Sequence, residues 1–271
     1  MSKPEISKSI QTGSFKTNYH DSGEGYPLIL VHGSGPGVSA WANWRLVMPE
    51  LAKKRRVLAL DYVGFGYTEK PAGVKYGMEV WVQQTVDFMD ALGIKQADFV
   101  GNSFGGALAL GMAVLYPDRV RKVVLMGSMG VKFPITDGLS KVWGYQPSFE
   151  NMRTLLNLFV DNKAVATDEL AEIRYQASIE PGFQEAFGSM FPQPMQNSVD
   201  AMAKYEDRFG ELKQEFLIVH GREDQVIPLE NAYKLIKAID KADLHVFGHC
   251  GHWTQIEKAF EFATLVNQFL G

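Results

Sequence analysis

Six short apolar runs, separated by helix-like segments, constrain the fold of this chain more than any other feature. They are PLILV (27–31), RVLAL (56–60), ADFV (97–100), KVVLM (122–126), FLIVH (216–220) and LHVF (244–247). Most are continuous rather than alternating, the pattern of strands covered on both faces by helices. Between them, MEVWVQQTVDFMDALG (78–93) carries helical spacing and stops at Gly93, and FGGALALGMAVLYP (104–117) is closed by Pro117. Strand and helix alternate, so the expected fold class is α/β, with a mostly parallel, doubly wound sheet. A chain of 271 residues can form one large domain of this kind, with or without an insertion. From 134 to 205 the strand-like runs stop, and ENMRTLLNLFV and TDELAEIRYQAS take helical spacing. The expected organisation is therefore a core of 1–133 and 206–271, with a helical lid of 134–205 inserted between its halves.

Charge narrows the partners. The 27 basic and 31 acidic residues give −4, with no long basic run, so neither nucleic acid nor an anionic membrane is the expected partner. Cys250 stands alone, which excludes an intrachain disulfide and a cysteine-based metal site. The opening residues MSKPEISKSIQTGSF contain no apolar signal segment, and no stretch has the apolar length of a membrane span. A cytoplasmic protein is the expectation.

Chemistry enters at VGNSFGGALAL (100–110). A strand leads into Gly101-Asn102-Ser103-Phe104-Gly105 and a helix leads out. Such a corner lifts the central side chain above the sheet and sets it at a helix N-terminus that favours developing negative charge. A serine that only helps helix and sheet to pack is the plainer reading. As a nucleophile, Ser103 needs a base and an acid to orient that base. His252 and His249 both lie in the loop after the last run, and His252 is preferred for its reach. Asp224 ends FLIVHGRED where a carboxylate can meet a histidine from the next strand's loop, with Glu223 and Asp243 as competitors. The other customary place for the acid, after KVVLM, holds Gly127 and Ser128. The order Ser103, Asp224, His252 is that of α/β-hydrolases. The glycine-rich LVHGSGPG (30–37) offers the Ser34 N–H, paired with the Phe104 N–H, as an oxyanion hole. It lacks the Gly-Lys-Ser/Thr ending of a phosphate loop. Arg174 has no acidic neighbour at helical spacing, so it is free either for a ligand carboxylate or for a tertiary ion pair.

Taken together, the chain resembles the meta-cleavage product hydrolases, the carbon–carbon bond hydrolases of aromatic-ring degradation within the α/β-hydrolase family. The resemblance rests on HGSGPGVSAWANWR (32–45), DYVGFGYTEKP (61–71), GNSFGGALAL (101–110), VWGYQPSFENMR (142–153), DELAEIRYQASIEPGF (168–183), HGREDQVIPL (220–229) and LHVFGHCGHWTQIE (244–257). It implies an α/β-hydrolase fold with a helical lid and no metal or organic cofactor. It also implies Ser103, Asp224 and His252 as triad, Ser34 and Phe104 as oxyanion hole, and a homodimer or higher assembly. Asn43, Asn102, Arg174 and Trp253 match the polar end of the family's pocket, which holds a carboxylate and a 2-oxo or 2-hydroxy group. Met129, Leu139, Val142, Trp143 and Val226 match the apolar end that receives the acyl group. The implied partner is a small anionic 2-hydroxy-6-oxo-2,4-dienoate, such as 2-hydroxymuconate semialdehyde or a 6-alkyl analogue. Either an acyl-enzyme on Ser103 or a gem-diol from activated water satisfies this chemistry. Two departures stand out. Met195-Gln196-Asn197-Ser198 replaces an arginine-rich stretch, and Met129 replaces a common alanine, which suggests a shortened acyl pocket. An esterase or lactonase on the same fold, or a non-catalytic binding protein, are the competing readings.

Overall fold

The computed structural model describes residues 3–271. One sheet of eight strands organises it: β1 Lys8–Thr12, β2 Phe15–Ser22, β3 Pro27–Val31, β4 Arg56–Leu60, β5 Ala97–Asn102, β6 Val120–Met126, β7 Glu215–Gly221 and β8 Ala242–Phe247. Their order is β1-β2-β4-β3-β5-β6-β7-β8. β2 runs antiparallel to β1 and β4, and every other pairing is parallel. The six apolar runs are β3 to β8. The β1–β2 hairpin is an addition to the expected strands, and its chemistry explains why. KSIQT lies on the sheet edge, while β2 buries polar side chains. Thr17 Oγ1 lies 2.6 Å from Thr12 Oγ1, and Asn18 Nδ2 donates to Asp61 Oδ2 at 2.8 Å. Hydropathy does not flag a strand whose buried residues are satisfied by hydrogen bonds.

The continuous runs are explained by two cores. Leu28, Leu30, Val57, Ala59, Val100 and Val124 face a cluster with Trp44, Phe262 and Val266. Ile29, Val31, Leu58, Leu60, Phe99 and Val123 face the other, with Trp81, Phe88 and Leu108. Each large aliphatic or aromatic side chain so buried contributes about 1.5–3 kcal/mol. The helices that supply these partners are α1 Ala40–Trp44, α2 Met48–Leu51, α3 Met78–Ala91 and α4 Phe104–Leu115 on the N-terminal side. Between β6 and β7 come α5 Asp137–Trp143, α6 Phe149–Phe159, α7 Asp168–Ser178, α8 Phe183–Met190 and α9 Gln196–Met202. α10 Leu229–Ala238, α11 Thr254–Glu257 and α12 Ala259–Leu270 complete the chain.

Three of the inserted helices begin at side-chain caps. Thr136, Ser148 and Thr167 accept from the N–H groups of Leu139, Asn151 and Leu170, which starts α5, α6 and α7. The departure at Met195–Ser198 opens α9. There Gln196 accepts from Ile135 N at 2.8 Å and donates to Phe133 O at 3.0 Å, tying α9 to the segment that leaves β6. The inserted helices meet the loop after β3: Trp143 Nε1 donates to Ser34 Oγ at 3.0 Å and Arg174 Nη2 to Pro36 O at 3.3 Å. No helix of the described residues is long and apolar enough to cross a membrane.

Candidate active site

Ser103 occupies the turn between β5 and α4 at φ 54° and ψ −116°, a backbone region that non-glycine residues rarely enter. The flanking glycines make this turn possible. A Cβ on Gly101 would lie 2.4 Å from Gly105 O, and one on Gly105 would lie 2.2 Å from Val31 O. The turn is also clamped by hydrogen bonds, Ser103 N to Met126 O at 2.9 Å and Met129 N to Ser103 O at 3.1 Å. The residues just after β6 thus lie against Ser103.

The same segment touches the acid and the base. Gly127 has φ +51°, and a Cβ there would lie 3.1 Å from His252 Nδ1 and 3.3 Å from Asp224 Oδ2. His252 Nδ1–H donates to Asp224 Oδ2 at 2.7 Å, which leaves Nε2 as the ring's free acceptor. The other oxygen, Asp224 Oδ1, accepts from Val226 N at 2.7 Å and Ile227 N at 2.9 Å. Burial alone would raise the Asp224 pKa. The charge and hydrogen bond of His252, with His220 and the Ile227 N–H, outweigh it and hold the carboxyl below its ordinary range. The competitors fall elsewhere: His249 is exposed in a left-handed turn, Asp243 is exposed, and Glu223 accepts from Cys250 N.

His32 and His220 are buried, and burial chiefly lowers their pKa values. His32 holds the glycine-rich loop, with Nδ1 donating to Gly33 O at 2.8 Å and Nε2 accepting from Tyr62 N at 3.1 Å. Neither the Ser34 nor the Phe104 N–H has an acceptor among the described residues, so both are available to an oxyanion.

A cavity opens beside His252. Its wall includes Ser34, Asn43, Asn102, Arg174 and Trp253, with Met152, Leu156 and Phe159 from α6. Phe159 stacks on Trp253 at 4.6 Å between ring centroids, and Trp253 N donates to Phe159 O. Arg174 is 9% exposed and makes no ion pair among the described residues. Burial first, then the neighbouring Arg45 charge, lower its pKa to about 10. Asn43 Oδ1 accepts from Gly33 N, and its Nδ2 has no partner. An enclosed cation with unpaired amide donors nearby is a site for an anion.

Met129, Leu139, Val142, Trp143 and Val226 do not line this cavity. They are buried in the core shared by the sheet and the inserted helices. Arg45 and Gln255 do line it and were not among the residues singled out from sequence. Arg45 closes the HGSGPGVSAWANWR block and Gln255 follows His252 by three positions. Their signal was position alone, because a surface arginine and a helical glutamine have nothing unusual in their composition. Among the described residues, no cluster of three or more His, Cys, Asp or Glu side chains could hold a metal.

Comparison with known proteins places this geometry. Residues 26–259 match the family model described as alpha/beta hydrolase fold. The chain is 59% identical over 267 residues to a 2-hydroxymuconate semialdehyde hydrolase from Pseudomonas sp. strain CF600, covering 98% of this chain and 94% of the relative. It is 54% identical to a 2-hydroxy-6-oxo-2,4-heptadienoate hydrolase from Pseudomonas putida, covering 98% and 96%. Among solved structures, a meta-cleavage product hydrolase from Pseudomonas fluorescens IP01, an S103A mutant complexed with acetates, superposes with a TM-score of 0.98 at 54% identity, covering 99% of this chain and 98% of that one.

Proposed function

The chain belongs to the alpha/beta hydrolase fold family, and from that premise we propose that it hydrolyses the carbon–carbon bond of 2-hydroxy-6-oxo-2,4-dienoates. The products are 2-hydroxypenta-2,4-dienoate and a small carboxylic acid. Relatives at 59% and 54% identity bear the names of such hydrolases. The observation that carries the reading is Arg174, a buried cation without an acidic partner on the same cavity wall as His252. A neutral ester would leave that charge unpaired, whereas a dienoate carboxylate neutralises it.

In the proposed reaction the dienol first ketonises, which lets the carbon next to the C6 carbonyl depart as a dienolate. Ketonisation moves the 2-hydroxyl proton to C5. On cleavage the oxygen of water goes to the acyl carbon, and a proton from water goes to the 2-oxygen of the released dienolate, which gives the 2-hydroxydienoate. His252, oriented by Asp224, moves protons in both stages, and the Ser34 and Phe104 N–H groups stabilise the oxyanion at C6. Arg174, Asn43, Asn102 and Trp253 hold the acid end. Residues 134–205 act as a lid between the core segments 1–133 and 206–271, and closure excludes water from the dienolate. The same reading includes a cytoplasmic location and a homodimer or higher assembly, which light scattering of the purified protein tests.

The direct experiment follows the yellow dienolate absorbance of 2-hydroxymuconate semialdehyde and its 6-methyl analogue, beside p-nitrophenyl acetate. Rapid bleaching with both product acids formed, much faster than ester turnover, is the expected result. Ester cleavage without bleaching would turn the reading to an esterase, and dienolate binding without turnover would turn it to a binding protein.

Two substitutions extend this test. Arg174→Gln lowers kcat/KM for the dienoate by about a hundredfold or more, since a buried charge-assisted contact is lost. Ester turnover falls far less; a parallel fall in both would mean that Arg174 only supports the fold. Met129 is buried in the core beside Ser103 and outside the cavity wall, so it limits acyl size only where that core opens to substrate. On that reading Met129→Ala raises the ratio of 6-phenyl to 6-methyl turnover by roughly tenfold, the scale set by small volume changes in an apolar pocket. Efficient 6-phenyl cleavage by the unaltered enzyme would count against Met129 as the limit on acyl size.

A further inference from the structure

We propose that Gln255 reads the 2-hydroxy-acid head of the substrate, its amide N–H donating to the carboxylate and its amide oxygen accepting from the 2-hydroxyl. This rests on the substrate class proposed above and assigns that head a contact beyond Arg174 and the asparagines. Gln255 lies in α11, is 1% exposed and lines the cavity with Arg174 and Asn43. Neither its Nε2 nor its Oε1 has a hydrogen-bond partner among the described residues. A buried amide unpaired at both ends is costly and rare in native proteins unless a ligand or bound water completes it.

The kind of group that completes it follows from what else the wall offers. Arg174, Arg45 and Asn43 Nδ2 are donors, and together they suit a carboxylate. A 2-hydroxyl brings an O–H as well, which needs an acceptor. Of the enclosed, unpaired side-chain atoms on this wall among the described residues, Asn43 Nδ2 and Gln255 Nε2 donate and Gln255 Oε1 alone accepts. An amide presents a donor and an acceptor side by side, complementary to a carboxylate oxygen beside a hydroxyl. A site built to bond a hydroxyl rejects the analogue that lacks it more strongly than an apolar pocket rejects a missing methylene.

The test measures competitive inhibition of 2-hydroxymuconate semialdehyde cleavage by two acids, freshly generated 2-hydroxypenta-2,4-dienoate and penta-2,4-dienoate, which lacks the hydroxyl. Wild-type protein binds the hydroxy acid about tenfold more tightly, the scale of one net hydrogen bond in a buried site. In Gln255→Met, of similar shape but without the amide, hydroxy-acid binding weakens about thirtyfold and deoxy-acid binding about threefold, so the preference disappears. Gln255→Glu weakens both acids, because its carboxylate faces the ligand's. A preference that survives in Gln255→Met, or an equal loss for both acids, overturns the assignment while the dienoate reading stands. A wild-type protein that neither cleaves the semialdehyde nor binds either acid overturns both.

Discussion

Ser103→Ala abolishes dienolate bleaching, lowering kcat/KM by on the order of 10⁴-fold or more, as removal of a triad nucleophile does. Alanine at φ 54° carries the same backbone strain as serine, so the change removes one oxygen and leaves the turn in place. The clamps at Met126 O and Met129 N are backbone bonds and do not depend on the hydroxyl. The variant therefore retains its melting temperature and still binds the dienoate, because Arg174 and the asparagines are untouched. Stopped-flow absorbance with a melting curve checks both parts. Bleaching within tenfold of wild type would remove Ser103 from the reaction and leave His252 to activate water by itself.

Asp224→Asn is expected to cost about 10⁴-fold in kcat, with little change in fold, because an amide facing the imidazole favours the wrong tautomer. The present carboxylate accepts the His252 Nδ1–H at 2.7 Å. An amide NH₂ in that place requires Nδ1 to accept instead, which puts the proton on Nε2, where the base must be bare. The two backbone bonds to Asp224 Oδ1 can be kept by the Asn oxygen only if its NH₂ points at His252, so loop geometry enforces the wrong tautomer. Glu223→Gln serves as the comparison. A loss of less than tenfold in Asp224→Asn, with a large loss in Glu223→Gln, would reassign the acid.

The parallel part of the sheet was legible because strands buried on both faces are written as continuous apolar runs, as in PLILV and RVLAL. FKTNYHDS escaped notice because Thr17 and Asn18 are buried through hydrogen bonds, and a hydropathy pattern does not record partners. At the site, serine between two glycines is readable because backbone clashes at Gly101 and Gly105 leave few alternatives. The pairing of His252 with Asp224 was approachable from loop order, since both follow neighbouring strands β7 and β8. Arg45 and Gln255 were not legible. Their distinction is a place on the cavity wall, joined in Gln255 by an amide without partners, and both appear only when every neighbour has been placed.

Gly127 carries an evolutionary consequence. The end of β6 and the end of β7 are two addresses at which a fold of this kind can house its acid, and here only the second is occupied. A Cβ at 127 would already press within 3.1–3.3 Å of His252 and Asp224. The addresses therefore crowd one space, and a side chain at 127 requires His252 or Asp224 to give by a few tenths of an ångström. Moving the acid from one address to the other is thus a coupled pair of changes rather than two independent ones, because each alters the room left for the same imidazole.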